Sequence, residues 1–322
     1  MTRLELSVAF QTNKTPSEYV ALGQLVNGFD FDVVSVYNDL FFQPALGPLL
    51  LLAQHVSRAR LGPAALNPFL LHPVEIAGQI AFLDAVTAGR AYLGLARGSW
   101  LEAVGVTMQQ PITRLRECIE LVRYLLRGRD DGYAGRLYTV EAGARIQYTP
   151  VRADVPVTLG TWSERTARAV GPLAEEVKVG GSTNPRMVGR MRGWLPARVG
   201  ICTGAVTVVD RDRAVARAFA RREVAMYLAV VAGLDVTLDD PEWVARIRSH
   251  GRDYAAVSRD ISDAQLDRFA FAGTPDDIVC QVRELSAAGA SRVEFGTPHG
   301  VDAEEGIRLL GGTVVPAVRE RD

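Results

Sequence analysis

The feature that most limits the fold of this chain is a short apolar segment followed by a capped helical segment, repeated along its length. Leu4 to Phe10, Val33 to Val36, Arg60 to Leu66, Tyr92 to Ala96, Val155 to Gly160, Glu176 to Gly180, Val199 to Val209 and Arg292 to Phe295 read as strands. The segments between them carry helix starts and apolar stripes. Pro16 to Gly28 opens at Thr15-Pro16, Pro48 to Val56 follows the second strand, and the helix from Pro73 sets Ile76, Ala77, Ile80 and Leu83 on one face. Leu115, Cys118, Ile119, Val122, Leu125 and Leu126 make the next stripe, Ser163 caps a fifth helix, and Asn184-Pro185 starts a sixth. Arg211 to Val231 is a long seventh, and Thr274-Pro275-Asp276-Asp277 starts the helix carrying Ile278, Val279, Val282 and Leu285. Eight alternations with mostly apolar strands predict an α/β protein built as a parallel (β/α)8 barrel, the TIM-barrel architecture, rather than a doubly wound sheet.

Two stretches break the rhythm. From Gly128 to Pro150, glycine-rich turns alternate with Leu137-Tyr138 and Ile146-Gln147-Tyr148, which predicts a hairpin outside the repeating unit. Ala232 to Asp267 is too long for a loop and holds Pro241, Trp243 and Tyr254, so it reads as a partly helical insertion over the barrel mouth. With both taken as insertions, residues 1–322 are expected to form one domain, since barrels of about 250 residues commonly carry additions.

Composition narrows the function classes. Apolar residues make up 48% and charged residues 23%, ordinary for a soluble enzyme, and the formal net charge of −1 gives no footprint for nucleic acid or an anionic membrane. Cys118, Cys202 and Cys280 are odd in number and far apart, so neither a disulfide framework nor a metal site is expected, and a reducing cytoplasm fits. The opening MTRLELSVAF lacks a signal-peptide core, and the apolar run Leu46 to Ala53 is too short to span a bilayer.

In a (β/α)8 barrel the chemistry lies at the C-terminal ends of the strands. There the sequence offers Asn38-Asp39, Ala64-Ala65-Leu66-Asn67-Pro68, Arg97-Gly98-Ser99, Gly160-Thr161-Trp162 and Gly180-Gly181-Ser182. Each has two readings. Asp39 is an ionisable group at the second strand's end or a cap for the turn after it. Asn67 presents amide donor and acceptor to a ligand or forms a turn before Pro68, and His72 anchors the helix from Pro73 or donates a proton. Arg97 holds an anion or makes an ion pair across the mouth. The glycines at 160, 180 and 181 bring backbone N–H groups beside helix starts, the best phosphate candidate in the chain. Glu176 and Lys178 share a strand face and pair with each other, or Lys178 contacts an anion. His299, in the loop Gly296 to Gly300, serves a substrate or sits on the surface, and Glu102 is a further acid one turn beyond Ser99. No GxGxxG fingerprint is present, which disfavours a nicotinamide-binding Rossmann domain.

Taken in order, Val36 to Asp39, Asn67 to Pro73, Gly89 to Val106, Gly160 to Trp162 and Val177 to Gly181 resemble the bacterial luciferase-like superfamily, in particular its branch of oxidoreductases that use the deazaflavin coenzyme F420. The resemblance runs from about Leu4 to Val315. It implies a bulge at Ala64-Ala65, often with a non-proline cis peptide, that backs the tricyclic ring, with Asn67 offering its amide to the coenzyme. It sets Asn38 and Asp39 where relatives that oxidise a sugar phosphate carry an acid and a histidine base, and Ser99 where they carry a catalytic Glu after Thr and Gly. That departure argues against the sugar-phosphate activity.

On this resemblance the expected function is hydride transfer between coenzyme F420 and a small organic substrate, including a methylenetetrahydromethanopterin-like pterin. Asp39 is the catalytic candidate; Asn38, Ala64, Ala65, Asn67, Arg97, Gly98, Gly160, Thr161, Gly180 and Gly181 would bind the coenzyme, and the chain would assemble as a homodimer. The alternatives are a two-component monooxygenase that takes reduced FMN from a partner flavin reductase, and a barrel that binds flavin without turnover.

Overall fold

The computed structural model describes residues 3–320; Met1, Thr2, Arg321 and Asp322, the ends of the expected domain, lie outside the described residues. Eight parallel strands form the barrel: β1 (Glu5–Phe10), β2 (Val33–Val36), β3 (Arg60–Pro63), β4 (Leu93–Ala96), then, after a hairpin of β5 (Tyr133–Ala134) and β6 (Thr139–Val140), β7 (Val157–Gly160), β8 (Glu176–Gly180) and β9 (Gly200–Val209). A short β10 (Ala270–Gly273) precedes the eighth barrel strand, β11 (Arg292–His299). Around the barrel the order is β3, β2, β1, β11, β9, β8, β7, β4, and single bridges from Leu61 to Ala91 and from Leu66 to Leu95 bring its two ends together.

The helices follow the strands as barrel logic requires. They are α1 (Pro16–Asn27), α2 (Leu46–Ala53), α3 (Pro73–Val86), α4 (Pro111–Leu126), α5 (Glu164–Val170), α6 (Pro185–Arg192) and α7 (Arg213–Val231). Three more, α8 (Pro241–Ser249), α9 (Tyr254–Arg259) and α10 (Asp263–Phe269), form the insertion, and α11 (Pro275–Ala287), α12 (Ala303–Leu309) and α13 (Val315–Arg319) complete the chain. The starts read from sequence are real caps: Thr15 with Glu18 and Thr274 with Asp277 form capping boxes, and Ser163 and Asn184 accept first-turn N–H groups. His72 settles in its structural reading, its Nδ1 accepting the Val74 N–H at 3.2 Å to cap α3.

Alternation along the strands divides the barrel wall into an outer and an inner face. Val177 and Val179 belong to the main apolar core, as do Val293 and Phe295, whereas Glu176, Lys178, Arg292 and Glu294 alternate with them. The insertion has its own core, in which Trp243, Ile247, Val257, Leu266 and Phe269 pack with α7, and Trp243 stacks on Phe269 with ring centroids 6.2 Å apart. Arg217 on α7 ties it down, donating to Asp267 Oδ1 at 2.7 Å and to the Asp263 carbonyl at 3.0 Å.

Several expectations need correction. The third strand ends at Pro63 because the chain leaves the sheet through a bulge and returns only at Leu66. The second helix begins at Leu46 and ends at Ala53, two to three residues before each expected bound. The hairpin pairs Tyr133 with Val140 and Ala134 with Thr139; Ile146 to Tyr148 forms no strand. The eighth strand runs on to His299 across an irregularity between Gly296 and His299, and β10, which pairs with the far end of β9, went unread.

Candidate active site

The C-terminal ends of the strands enclose a cavity of about 920 Å³. Asn38, Asp39, Ala64, Ala65, Asn67, Arg97, Gly98, Gly160, Thr161, Gly180 and Gly181 all line it, so every residue read as part of one site meets at one mouth. The peptide bond between Ala64 and Ala65 is cis. The bulge is held on both sides: Ala64 N–H donates to the Val36 carbonyl at 2.7 Å, and Leu66 N–H to the Gly94 carbonyl at 2.9 Å. Gly94 is required there, since a Cβ on it would lie 1.9 Å from the Pro63 carbonyl oxygen.

Asn67 is buried, and its Oδ1 accepts the Phe69 N–H at 2.8 Å, so the turn-forming role exists. The other end of its amide remains at the mouth. Nδ2 lies so close to Gly98 that a Cβ on that glycine would sit 1.9 Å away, and Gly98 itself has φ +82°. Asn38 is also half committed, its Oδ1 accepting the Ala45 N–H at 2.9 Å ahead of α2.

Asp39 stands at the end of β2 and accepts a hydrogen bond from Gln11 Nε2 at 2.8 Å. Water reaches it, but the cavity walls strip away part of its hydration. That desolvation raises its carboxyl above the ordinary value, against the Gln11 hydrogen bond and the positive charge of Lys178.

Below the mouth lies a buried charge network. Lys178 does not pair with Glu176; it binds Glu294 across the barrel, while Arg292 takes Glu176 at 2.5 Å and reaches Glu294 at 3.2 Å. Ser35 Oγ donates to Glu294 at 2.5 Å, and Tyr92 Oη lies 2.8 Å from Ser35 Oγ. Burial pushes the Glu294 carboxyl up, but Lys178 and Arg292, with the hydrogen bonds from Lys178 and Ser35, bring it below its usual value. Lys178 Nζ also lies 5.4 Å from the centre of the Tyr37 ring, whose hydroxyl burial pushes up.

Other placements correct the reading. The amides proposed for a phosphate are largely in use: Thr161 N–H donates to the Lys178 carbonyl at 3.0 Å, and Gly181 and Ser182 N–H both donate to the Gly204 carbonyl, at 2.6 and 3.2 Å. His299 is 1% exposed and packs edge-on against Phe10 rather than facing the mouth. Glu102 is exposed on a 3-10 turn away from the cavity lining. Arg97 is exposed and makes no ion pair among the described residues, so it is not the ion pair across the mouth; its guanidinium stands in solvent at the cavity lining.

The sequence reading gave no role to Gln11, Glu294 or the α7 wall, although it set the insertion over the mouth. Glu223, Met226, Tyr227 and Val231 line the cavity from α7, and Gly233, Leu234 and Val236 continue it into the insertion. The spacing of the α7 set, one helical face over two turns, was a readable signal.

With the geometry in place, comparison with known proteins is decisive on family. A sequence model described as luciferase-like monooxygenase matches residues 5–292. The chain belongs to that family. Among curated relatives it is similar to the 5,10-methylenetetrahydromethanopterin reductase of Archaeoglobus fulgidus, 28% identical over 94% of this chain and 95% of that protein. It is also similar to the F420-dependent glucose-6-phosphate dehydrogenase of Microbacterium testaceum, 26% identical over 95% and 94%. The solved coenzyme F420 dependent tetrahydromethanopterin reductase from Methanopyrus kandleri shares the fold, with a TM-score of 0.86 at 21% identity over 99% of this chain and 100% of that one. No helix among the described residues is long and apolar enough to cross a membrane.

Proposed function

We propose that this luciferase-like barrel is an F420-dependent oxidoreductase acting on a small organic substrate of the methylenetetrahydromethanopterin type. What carries the reading is the meeting of the Ala64-Ala65 bulge, Asn67 and Gly98 at one mouth, in a chain whose curated relatives include several enzymes named as F420-dependent. The residues present fit such a coenzyme. The cavity is large enough for a tricyclic ring, and the wall at Ala64, Ala65, Gly160 and Gly180 carries almost no side chain, a Cβ at Gly180 meeting nothing closer than 4.0 Å. Asn67 and Asn38 each keep an amide end for hydrogen bonding, and Arg97 supplies an unpaired positive charge.

The bound deazaflavin would supply the hydride chemistry itself. The chain's part would be positional: Ala64 and Ala65 would back the ring, Asn67 would offer its amide to the coenzyme beside Gly98, and the α7 wall would limit water at the open side. Asp39 is the group placed to take or return a proton on the substrate, held by Gln11 and biased by Lys178. Homodimeric assembly in the cytoplasm belongs to the same reading.

The test separates this activity from oxygen chemistry. Under anaerobic conditions, reduced F420 should be oxidised on adding a methylenetetrahydropterin substrate, seen as the return of deazaflavin absorbance. Oxygen uptake with reduced FMN, and no anaerobic F420 turnover, would instead assign the monooxygenase chemistry of the family name.

A further inference from the structure

We propose that Arg165 and Arg190 anchor the polyanionic tail of the coenzyme, in an arm of the cavity that reaches α5 and α6. The proposal rests on the deazaflavin reading above and adds to it the direction in which the coenzyme lies.

The observation is a division among the arginines of two helices. Arg168 on α5 pairs with Glu164 at 2.8 Å, Arg186 on α6 pairs with Asp239 at 2.5 Å, and Arg192 donates to the Val199 and Pro196 carbonyls at 2.8 and 2.5 Å. The side chains of Arg165 in the first turn of α5 and Arg190 in the last turn of α6 have no ion pair or hydrogen bond among the described residues, and these two residues line the cavity. Glu164, the acid in that arm, is already engaged by Arg168, so the arm carries an uncompensated positive charge. The lining acids with no cationic partner are elsewhere, Asp39 at the end of β2 and Glu223 on α7. The arm at α5 and α6 therefore carries two unpaired cations and no unpaired acid, while Arg97 just beyond β4 is a third unpaired cation on the lining and Asp39 and Glu223 are its unpaired acids.

A deazaflavin coenzyme matches that arm of the cavity. Its ring is planar, while its side chain carries a phosphodiester followed by carboxylates. Guanidinium forks bind phosphate and carboxylate alike, through paired N–H donors. With the amides of Thr161, Gly181 and Ser182 donating within the barrel, the Arg165 and Arg190 guanidiniums are the unpaired cationic donors that α5 and α6 offer these anions. Arg165 and Arg190 draw the tail toward α5 and α6, which leaves the ring at the Ala64-Ala65 end, beside Asp39.

The experiment is equilibrium binding, followed by deazaflavin fluorescence, of full coenzyme F420 and of the tail-less deazaflavin riboside. Arg165→Gln and Arg190→Gln should each weaken the full coenzyme roughly 5-fold, and the double variant roughly 20-fold, the scale of exposed charge-assisted bonds. Affinity for the riboside should not change. Raising the salt concentration should weaken the wild type and leave the double variant nearly insensitive. Coenzymes with one and with several terminal carboxylates separate phosphate from carboxylate contacts; an Arg effect equal for both assigns the phosphate. Both side chains are exposed and unpartnered, so thermal unfolding should be unaltered, which checks folding. Equal loss of riboside and full coenzyme, or no loss of either, would overturn the anchor while leaving the deazaflavin reading intact. Failure of the wild type to bind either molecule would overturn both.

Discussion

Gly98 is under two constraints at once. Its φ of +82° is a conformation that side-chain-bearing residues adopt at a cost of about 1 kcal/mol, and a Cβ there would meet the Asn67 amide at 1.9 Å. Gly98→Ala should therefore cost roughly 1–2 kcal/mol in denaturant unfolding and displace Asn67, weakening coenzyme binding about tenfold by fluorescence titration. Unchanged affinity would mean that Asn67 serves only the Phe69 turn. Asp39→Asn keeps shape and removes the charge. It should lower turnover at saturating coenzyme by up to about 100-fold, with little change in coenzyme affinity. Because desolvation raises the Asp39 carboxyl, the acidic limb of the wild-type pH profile should lie above the usual carboxylate range, and the variant should lose that limb. Weakened affinity with full turnover would make Asp39 a coenzyme contact. At this scale the sequence showed which residues stand at strand ends, because a strand's end is a local property. It could not show partners. Lys178 looked like the neighbour of Glu176, but its partner is Glu294, 116 residues away, and only closure of the barrel brings them together.

The charged alternation in β11 and β8 makes these two strands different from the others. Arg292, 2% exposed, neutralises Glu176 and shares Glu294 with Lys178. Arg292→Met would leave buried carboxylates short of a partner, and about 3–5 kcal/mol of stability should be lost in urea unfolding. A loss below about 1 kcal/mol would show that water enters and relieves the network. The helices were legible because Thr, Ser, Asn and Pro mark their starts. The strand β10 was not: Ala270–Gly273 is four buried residues directly after α10 with no turn residue between them, too short to show any period. The third strand's true end was obscured because Ala64, Ala65 and Leu66 are as apolar as the strand itself, and composition does not report a bulge.

For the molecule as a whole, repetition carried the fold: eight units read from periodicity close into the barrel that puts the distant strand ends at one mouth. Buried groups set its response to acid. His299 is enclosed, and burial, with the nearby Lys14 charge, pulls its pKa down from 6.5 to about 4. An unfolded imidazole takes up its proton near pH 6.5, the folded one only near 4, so stability is lost as pH falls through that window, by roughly 3 kcal/mol at most. Urea unfolding at pH 7 and pH 4.5 should show a smaller drop for His299→Asn, a residue that tolerates the φ of +79° found there, than for the wild type. Equal drops would place the acid sensitivity elsewhere.

The account stands or falls on what occupies the mouth. Fluorescence and absorbance titration of the purified chain with coenzyme F420 and with FMN, each oxidised and reduced, addresses this directly. Saturable one-to-one binding of F420, with FMN at least tenfold weaker in both redox states, is the predicted result. Tight binding of reduced FMN with no detectable affinity for F420 would contradict it.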